Sequence, residues 1–256
     1  MQPWQTTFLG HQALPRSLTP FELRYFFSFS AAEKQAIKSR RRHLNQLGAS
    51  LHLGFVKMSG RSLDAFDMLP RALLAHLGRE LEIPVPTLTS LRALYRRRST
   101  LYEHQQWAAS FLGFSNSTER QRRVLTGLIK KESLKALTRA QLVTFARSWC
   151  YEHKFLIPGD RTLKDLVRNA MQQAEQDLLE AIKGAIPDSV RQAWLVALGS
   201  EHAKDRSVLE WLQGEPGKPS RATLKRQLAQ IDYLKELSVH KYPLDMLRLE
   251  HQKQLS

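Results

Sequence analysis

Three short runs of arginine carry the clearest chemistry in this chain: Arg40-Arg41-Arg42, Arg96-Arg97-Arg98 and the broken run Arg120/Arg122/Arg123. A guanidinium is always charged and presents a planar fork of donors that matches a phosphate. Neighbouring guanidiniums repel, so three in succession are costly unless a polyanion meets them. The chain as a whole agrees in sign: 39 Lys+Arg against 24 Asp+Glu leave a net +15, and the isoelectric point is about 10.2. The excess is uneven. Residues 1–132 hold 20 Lys+Arg and 9 Asp+Glu, a net +11, whereas residues 133–256 hold 19 and 15, a net +4. An even excess would serve solubility; this asymmetry places a polyanion footprint mainly on the N-terminal half. Nucleic acid, whose phosphates release condensed counterions to Lys and Arg, is the partner it favours.

Each basic group has a local setting. Arg40–Arg42 fall at the end of an expected helix, where the dipole also favours cations, although three arginines exceed what capping needs. Arg96–Arg98 precede Ser99 and Thr100, a hydroxyl-rich helix start whose free N–H groups would bind phosphate beside the guanidiniums. Arg120, Arg122, Arg123, Lys130 and Lys131 run along one helix whose Val124, Leu125, Leu128 and Ile129 face inward. That is the profile of a helix laid in or across a major groove, and equally of a solvated one. Leu156-Ile-Pro-Gly-Asp-Arg-Thr-Leu-Lys-Asp-Leu-Val reads as the turn and second helix of a helix-turn-helix, with Arg161, Thr162, Lys164 and Arg168 near the helix start, where base edges are read. Lys218, Ser220, Arg221, Lys225 and Arg226 form another basic helix start behind the loop at 214–219.

Catalytic constellations are harder to find. Nine histidines are present, but none stands in His-x-x-x-His or His-Glu-x-x-His, the spacings that aim two imidazoles at one metal. Glu-His recurs at 103–104, 152–153, 201–202 and 250–251, yet the flanking apolar patterns differ and no repeat unit follows. Carboxylates share a helix face at Asp64/Asp67 and Asp177/Glu180, which read as solvated faces rather than a metal cage. No phosphate-binding Gly-rich loop and no nucleophile elbow occurs. The chain therefore reads as a binding protein without its own catalytic site, metal or cofactor. Cys150, the single cysteine, excludes an internal disulfide and fits a reducing cytoplasm. No apolar run approaches a membrane span, and no targeting signal opens the chain.

The elements that must position these residues are helical almost throughout. Thr19, Ser30, Thr138 and Ser220 are expected N-caps. The spacing predicts helices over 20–27, 30–41, 44–55, 70–81, 89–95, 100–112 and 117–131, then a helical hairpin over 138–186, helices at 190–198, 207–213 and 220–237, and a last one opening at Pro243. Leu44, Leu47, Leu51 and Phe55 define one apolar stripe on the third helix, whose regularity Gly48 and Gly54 weaken. The fold class is all-α, built of helical bundle modules with helix-turn-helix-type units. Residues 1–132 form a basic DNA-binding module, and residues 133–256 a second helical module that continues into a longer chain.

Two stretches add a family likeness. Leu18-Thr-Pro-Phe-Glu-Leu followed by Arg40-Arg-Arg-His-Leu-Asn-Gln-Leu-Gly-Ala-Ser-Leu-His-Leu-Gly-Phe-Val-Lys-Met-Ser-Gly-Arg-Ser-Leu, and Tyr95-Arg-Arg-Arg-Ser-Thr-Leu-Tyr-Glu-His-Gln-Gln-Trp-Ala-Ala-Ser-Phe-Leu-Gly-Phe, resemble the N-terminal region of the Tn-three family of transposases. The basic Leu-Gly-rich helix ends in Gly60-Arg61, and the Glu-His segment leads to Leu112-Gly-Phe114. The likeness covers about residues 15–170. It implies a region that binds the terminal inverted repeats of a replicative bacterial transposon as double-stranded DNA, while three catalytic carboxylates and their divalent metal lie in a later domain outside this chain, as would any dimer contact. The implied DNA contacts fall on Arg40–Arg42, Arg61, Arg96–Arg98 and His104. A standalone helical nucleic-acid-binding regulator and a basic protein-assembly module remain rival readings from the residues alone.

Overall fold

A computed structural model of the chain describes residues 6–242, apart from residues 65, 67, 86, 136, 203–205 and 215–216. The fold is all-α. In chain order the helices are α1 (Pro20–Phe27), α2 (Ala31–Lys38), α3 (His43–Ser59), α4 (Arg71–Leu81), α5 (Leu88–Leu94), α6 (Arg98–Phe111), α7 (Glu119–Ser133), α8 (Arg139–Glu152), α9 (Asp160–Ala185), α10 (Asp188–Gly199), α11 (Val208–Gln213) and α12 (Arg221–Glu236). A two-residue antiparallel pair, Glu201–His202 with Arg206–Ser207, is the one regular β feature among the described residues. The helix expected from Pro243 and the carboxylate of Asp67 lie outside the described residues.

Cap chemistry sets most of the boundaries. Thr19, Ser30 and Thr138 each accept from the N–H three residues on, while Glu22, Glu33 and Gln141 reach back to close a capping box. Such reciprocal caps satisfy two of the amides that every helix start leaves free. Ser220 caps α12 in the simpler way. α2 stops at Lys38 rather than running to residue 41. Arg40–Arg42 therefore sit in the turn into α3, not on the helix end, because the Ser39 hydroxyl donates back to the Ala36 carbonyl. α6 begins at Arg98, with Arg97 at the N-cap and no side-chain cap, so Ser99 and Thr100 do not start it as the hydroxyl pattern suggests.

α3 is the axis of the fold, touching α1, α2, α4, α5 and α6. The spacing predicts one apolar stripe, but the helix is buried nearly all round: Leu47, Leu51 and Phe55 are joined by Gly48, Ser50, His52, Leu53 and Gly54. The glycines explain how. A methyl at Gly54 would stand 2.2 Å from the Phe27 ring, and one at Gly48 would stand 2.4 Å from the Tyr95 hydroxyl. Removing both side chains lets α1 and the end of α5 approach, so these glycines are packing devices rather than weak points. Gly60 then ends α3 in the left-handed conformation at φ 68°, the usual glycine exit.

The chain divides into two units: Met1–Ile129 with Thr138–Asn169, and Lys130–Leu137 with Ala170–Ser256. This division differs from the charge boundary at residue 132 because backbone bonds recruit the α8–α9 turn to the first unit. Ile157 N–H donates to Gly60 O at 2.9 Å, Leu156 N–H to Ser115 O at 2.9 Å, and Ser115 N–H to Lys154 O at 2.9 Å. In the second unit, Trp194 Nε1 donates to Leu237 O at 2.8 Å and Gln230 Nε2 to Trp211 O at 2.6 Å. Among the described residues, no helix is long and apolar enough to cross a membrane.

Candidate nucleic-acid interface

The turn bearing Arg40–Arg42 is held from beneath. Buried Gln46 donates to Lys38 O at 3.2 Å and Arg40 O at 2.7 Å, which sets the turn against α3. Arg40 itself folds inward. Its side chain is 14 % exposed and pairs with Glu103 at 3.0 Å, with the guanidinium 4.7 Å over the Trp107 ring. Arg41 and Arg42 point to solvent with no partner among the described residues. One member of the triplet thus anchors the turn and two remain for a ligand.

Arg96, Arg97 and Arg98 are all exposed at the start of α6 and make no ion pair with the described residues. The other end of the same motif turns inward. His104, expected to touch DNA, is 1 % exposed and shares a 3.0 Å hydrogen bond with the Tyr95 hydroxyl. It cannot reach a phosphate from that position. Burial, aided by the nearby Arg40 charge, holds its pKa down at about 4. His52, on the facing turn of α3, is buried with both ring nitrogens unpartnered, and burial with the neighbouring His104 and Arg40 pushes it down to about 3. Both rings are neutral at pH 7. Glu103 serves Arg40, so the Glu-His dipeptide is a structural joint between α6 and the arginine turn.

Arg61 is a second joint. Its guanidinium donates to Pro158 O at 3.3 Å, and the neighbouring Asp64 accepts from Gln105 at 2.8 Å rather than pairing with Arg61. Phe114 meets Tyr151 edge-on at 5.4 Å. Gly60-Arg61 and Leu112-Gly-Phe114 are distant in sequence, and both meet the α8–α9 turn.

On α7, Arg120 is exposed, Arg122 donates to Ser117 at 3.3 Å and Arg123 makes a long contact with Glu119 on the exposed surface. The apolar back is narrower than its sequence suggests: Leu125 and Ile129 are buried, but Val124 is 51 % exposed. Lys130 pairs with Asp177, and Lys131 is exposed. Lys218, Arg221, Lys225 and Arg226 are exposed around the start of α12.

Arg161, Lys164 and Arg168 stand on one stripe of α9, opposite buried Leu163 and Val167. They do not occupy a tight helix-turn-helix: seven residues, 153–159, separate α8 from α9, against the three or four of that motif. With Arg139 and Arg147 of α8 they line an open groove of about 840 Å³. Arg147 is steadied by Asp160 at 3.0 Å and Arg168 by Asp165 at 2.8 Å; Arg139, Arg161 and Lys164 have no partner among the described residues. Sequence reasoning misses Arg139 and Arg147. Their signal is the row Arg139, Val143, Arg147 at four-residue steps, a basic edge on a helix whose apolar side is the more obvious one.

Among the described residues no group of three His, Cys, Asp or Glu could hold a metal ion. Asp177 and Glu180 are engaged by Lys130 and Lys183, and Cys150 is buried, its thiol pushed up to about 11 by desolvation.

Residues 7–170 match the family model described as a domain of unknown function, DUF4158. The chain is 39 % identical over 246 residues to the transposase for insertion sequence element IS1071 in transposon Tn5271 of Comamonas testosteroni, covering 96 % of this chain and 25 % of that protein. It is 21 % identical over 233 residues to the transposase for transposon Tn1546 of Enterococcus faecium, covering 90 % and 23 %, and 21 % identical over 234 residues to that for transposon Tn3926 of Escherichia coli, covering 91 % and 23 %. The chain belongs to the DUF4158 family, and it spans about a quarter of the length of the curated transposases to which it is similar.

Proposed function

We propose that this chain is the DNA-end-binding part of a transposase of the Tn-three type, engaging the terminal inverted repeats of its element during replicative transposition in the bacterial cytoplasm. The observation that carries this reading is the set Arg41, Arg42, Arg96, Arg97 and Arg98: five exposed guanidiniums with no partner among the described residues, on the unit that matches the family. Unpaired arginines held on short, anchored turns are ready to neutralise phosphates without first breaking an internal ion pair. Strand cleavage and its divalent metal belong, in this reading, to other parts of a protein of the relatives' length.

Fluorescence anisotropy of the 256-residue chain tests it with three probes: a duplex carrying the element's own terminal repeat, a scrambled duplex of equal length, and a structured RNA. The end duplex is expected to bind tightest, and tightly enough to compete with the scrambled one at physiological salt. Equal affinity for all three would remove the end-recognition role. Failure to bind any of them would favour a protein-assembly module.

A further inference from the structure

We infer that the groove between α8 and α9 is a seat for the DNA sugar–phosphate backbone, supplying affinity without sequence preference. This rests on the DNA-binding reading above. It departs from the expectation that Arg161, Lys164 and Arg168 belong to a recognition helix that reads bases.

Three features carry the inference. The first is shape: a base edge lies in the floor of a DNA groove and must be reached by a protruding element, whereas these side chains line a concavity, which accepts a convex strand. The second is spacing. Arg139 to Arg147 spans roughly 12 Å along α8 and Arg161 to Arg168 roughly 10 Å along α9, from the helical rise. Two cationic walls of that length match about three successive phosphates of one strand. The third is chemistry. The groove is lined by cations with Ala140, Val143, Thr144 and a single carboxylate, Asp165. It contains no Asn or Gln, the usual reader of adenine, and its cations outnumber its other polar side chains. Arg147 is tied to Asp160 and positions the groove; Arg139, Arg161 and Lys164 are the cations left for phosphate.

The test uses the full chain with the end duplex and the scrambled duplex, each titrated across salt. Arg139→Ala/Arg161→Ala/Lys164→Ala should weaken binding to both duplexes by the same factor. It should also lower the slope of log K against log salt by about one for each phosphate left without its cation, up to about three. The charge-preserving pair Arg139→Lys/Arg161→Lys should bind both duplexes nearly as wild type, since a point charge suffices for a phosphate but not for a bidentate base contact. A loss confined to the end duplex, or a loss of preference in the lysine pair, would establish base reading and overturn the inference. Unchanged affinity and slope in the alanine set would overturn it too, while Arg96→Ala/Arg97→Ala/Arg98→Ala still weakening binding would leave the DNA reading standing. If wild type binds neither duplex, that reading fails and the inference with it. Should the alanine set melt below wild type, Arg139→Met/Arg161→Met/Lys164→Met, which keeps the apolar stems and removes the charges, takes its place with the same expected losses and the same overturning results.

Discussion

α3 and α12 display the same sign in sequence and opposite fates in structure. Each carries a row of large apolar residues at helical spacing: Leu44, Leu47, Leu51 and Phe55 on α3, and Leu224, Leu228, Ile231 and Leu234 on α12. Leu51 and Phe55 are fully buried, whereas Leu224 is 57 % exposed and Leu228 51 %. The difference lies in the residues between. α3 places Gly48, Ala49, Ser50 and Gly54 off the row, small enough to admit Phe27 and Tyr95. α12 places Lys225, Arg226, Gln227, Asp232 and Lys235 there, which demand water. A periodic row identifies a helix; the sizes and charges off the row decide how many sides it buries.

Truncating the two rows tests that contrast most directly. Leu51→Ala should destabilise the first unit by about 2–5 kcal/mol, the cost of a core cavity, while Leu228→Ala should stay within about 0.5 kcal/mol, as expected of an exposed site. Urea denaturation of each variant reads both values, and equal losses would refute the distinction between the helices.

Acid reaches α3 through its buried face, which holds His52 against His104, whereas α12 has no histidine. The folded pKa values, about 3 and about 4, lie below the ordinary value near 6.5. The unfolded chain then binds more protons between those limits. Stability is complete above about pH 6.5 and falls as pH drops towards 4, by up to about 1.4 kcal/mol per pH unit for each ring. His52→Leu should flatten part of this dependence while costing little at pH 7, since it removes two unpartnered nitrogens. Denaturation midpoints between pH 7 and 4 give the result; a variant as acid-sensitive as wild type would exclude His52 as the cause.

Gly54→Ala should cost about 1–3 kcal/mol through overpacking on the buried Phe27 ring, outweighing the gain in helix propensity. A raised thermal midpoint would show that the α1–α3 approach is loose. Smaller stability effects than these core changes belong to the arginines. Arg40→Ala should cost about 1 kcal/mol by releasing Glu103 and uncovering Trp107. Arg96→Ala/Arg97→Ala/Arg98→Ala should leave stability within about 0.5 kcal/mol and lower the salt slope of DNA binding by up to about three. Melting curves beside salt titrations separate these roles, and a triple variant with an unchanged slope would remove Arg96–Arg98 from the interface.

The all-α class, the caps at Thr19, Ser30, Thr138 and Ser220, and the basic character of the first half are all legible along the chain, because they follow from local hydrogen bonding, local spacing and summed charge. Which of those charges are available is a matter of tertiary structure. Arg40 and Arg61 lie in motifs that look in sequence like those of Arg41 and Arg96, yet Glu103 and the Pro158 carbonyl engage them, and His104 turns to Tyr95. Folding also brings Arg139 and Arg147 beside Arg161 and Lys164 across the α8–α9 turn. An ion pair or a shared groove depends on which residues distant in sequence come within a few ångströms, and periodicity along one helix says only which way a side chain faces, not what it meets.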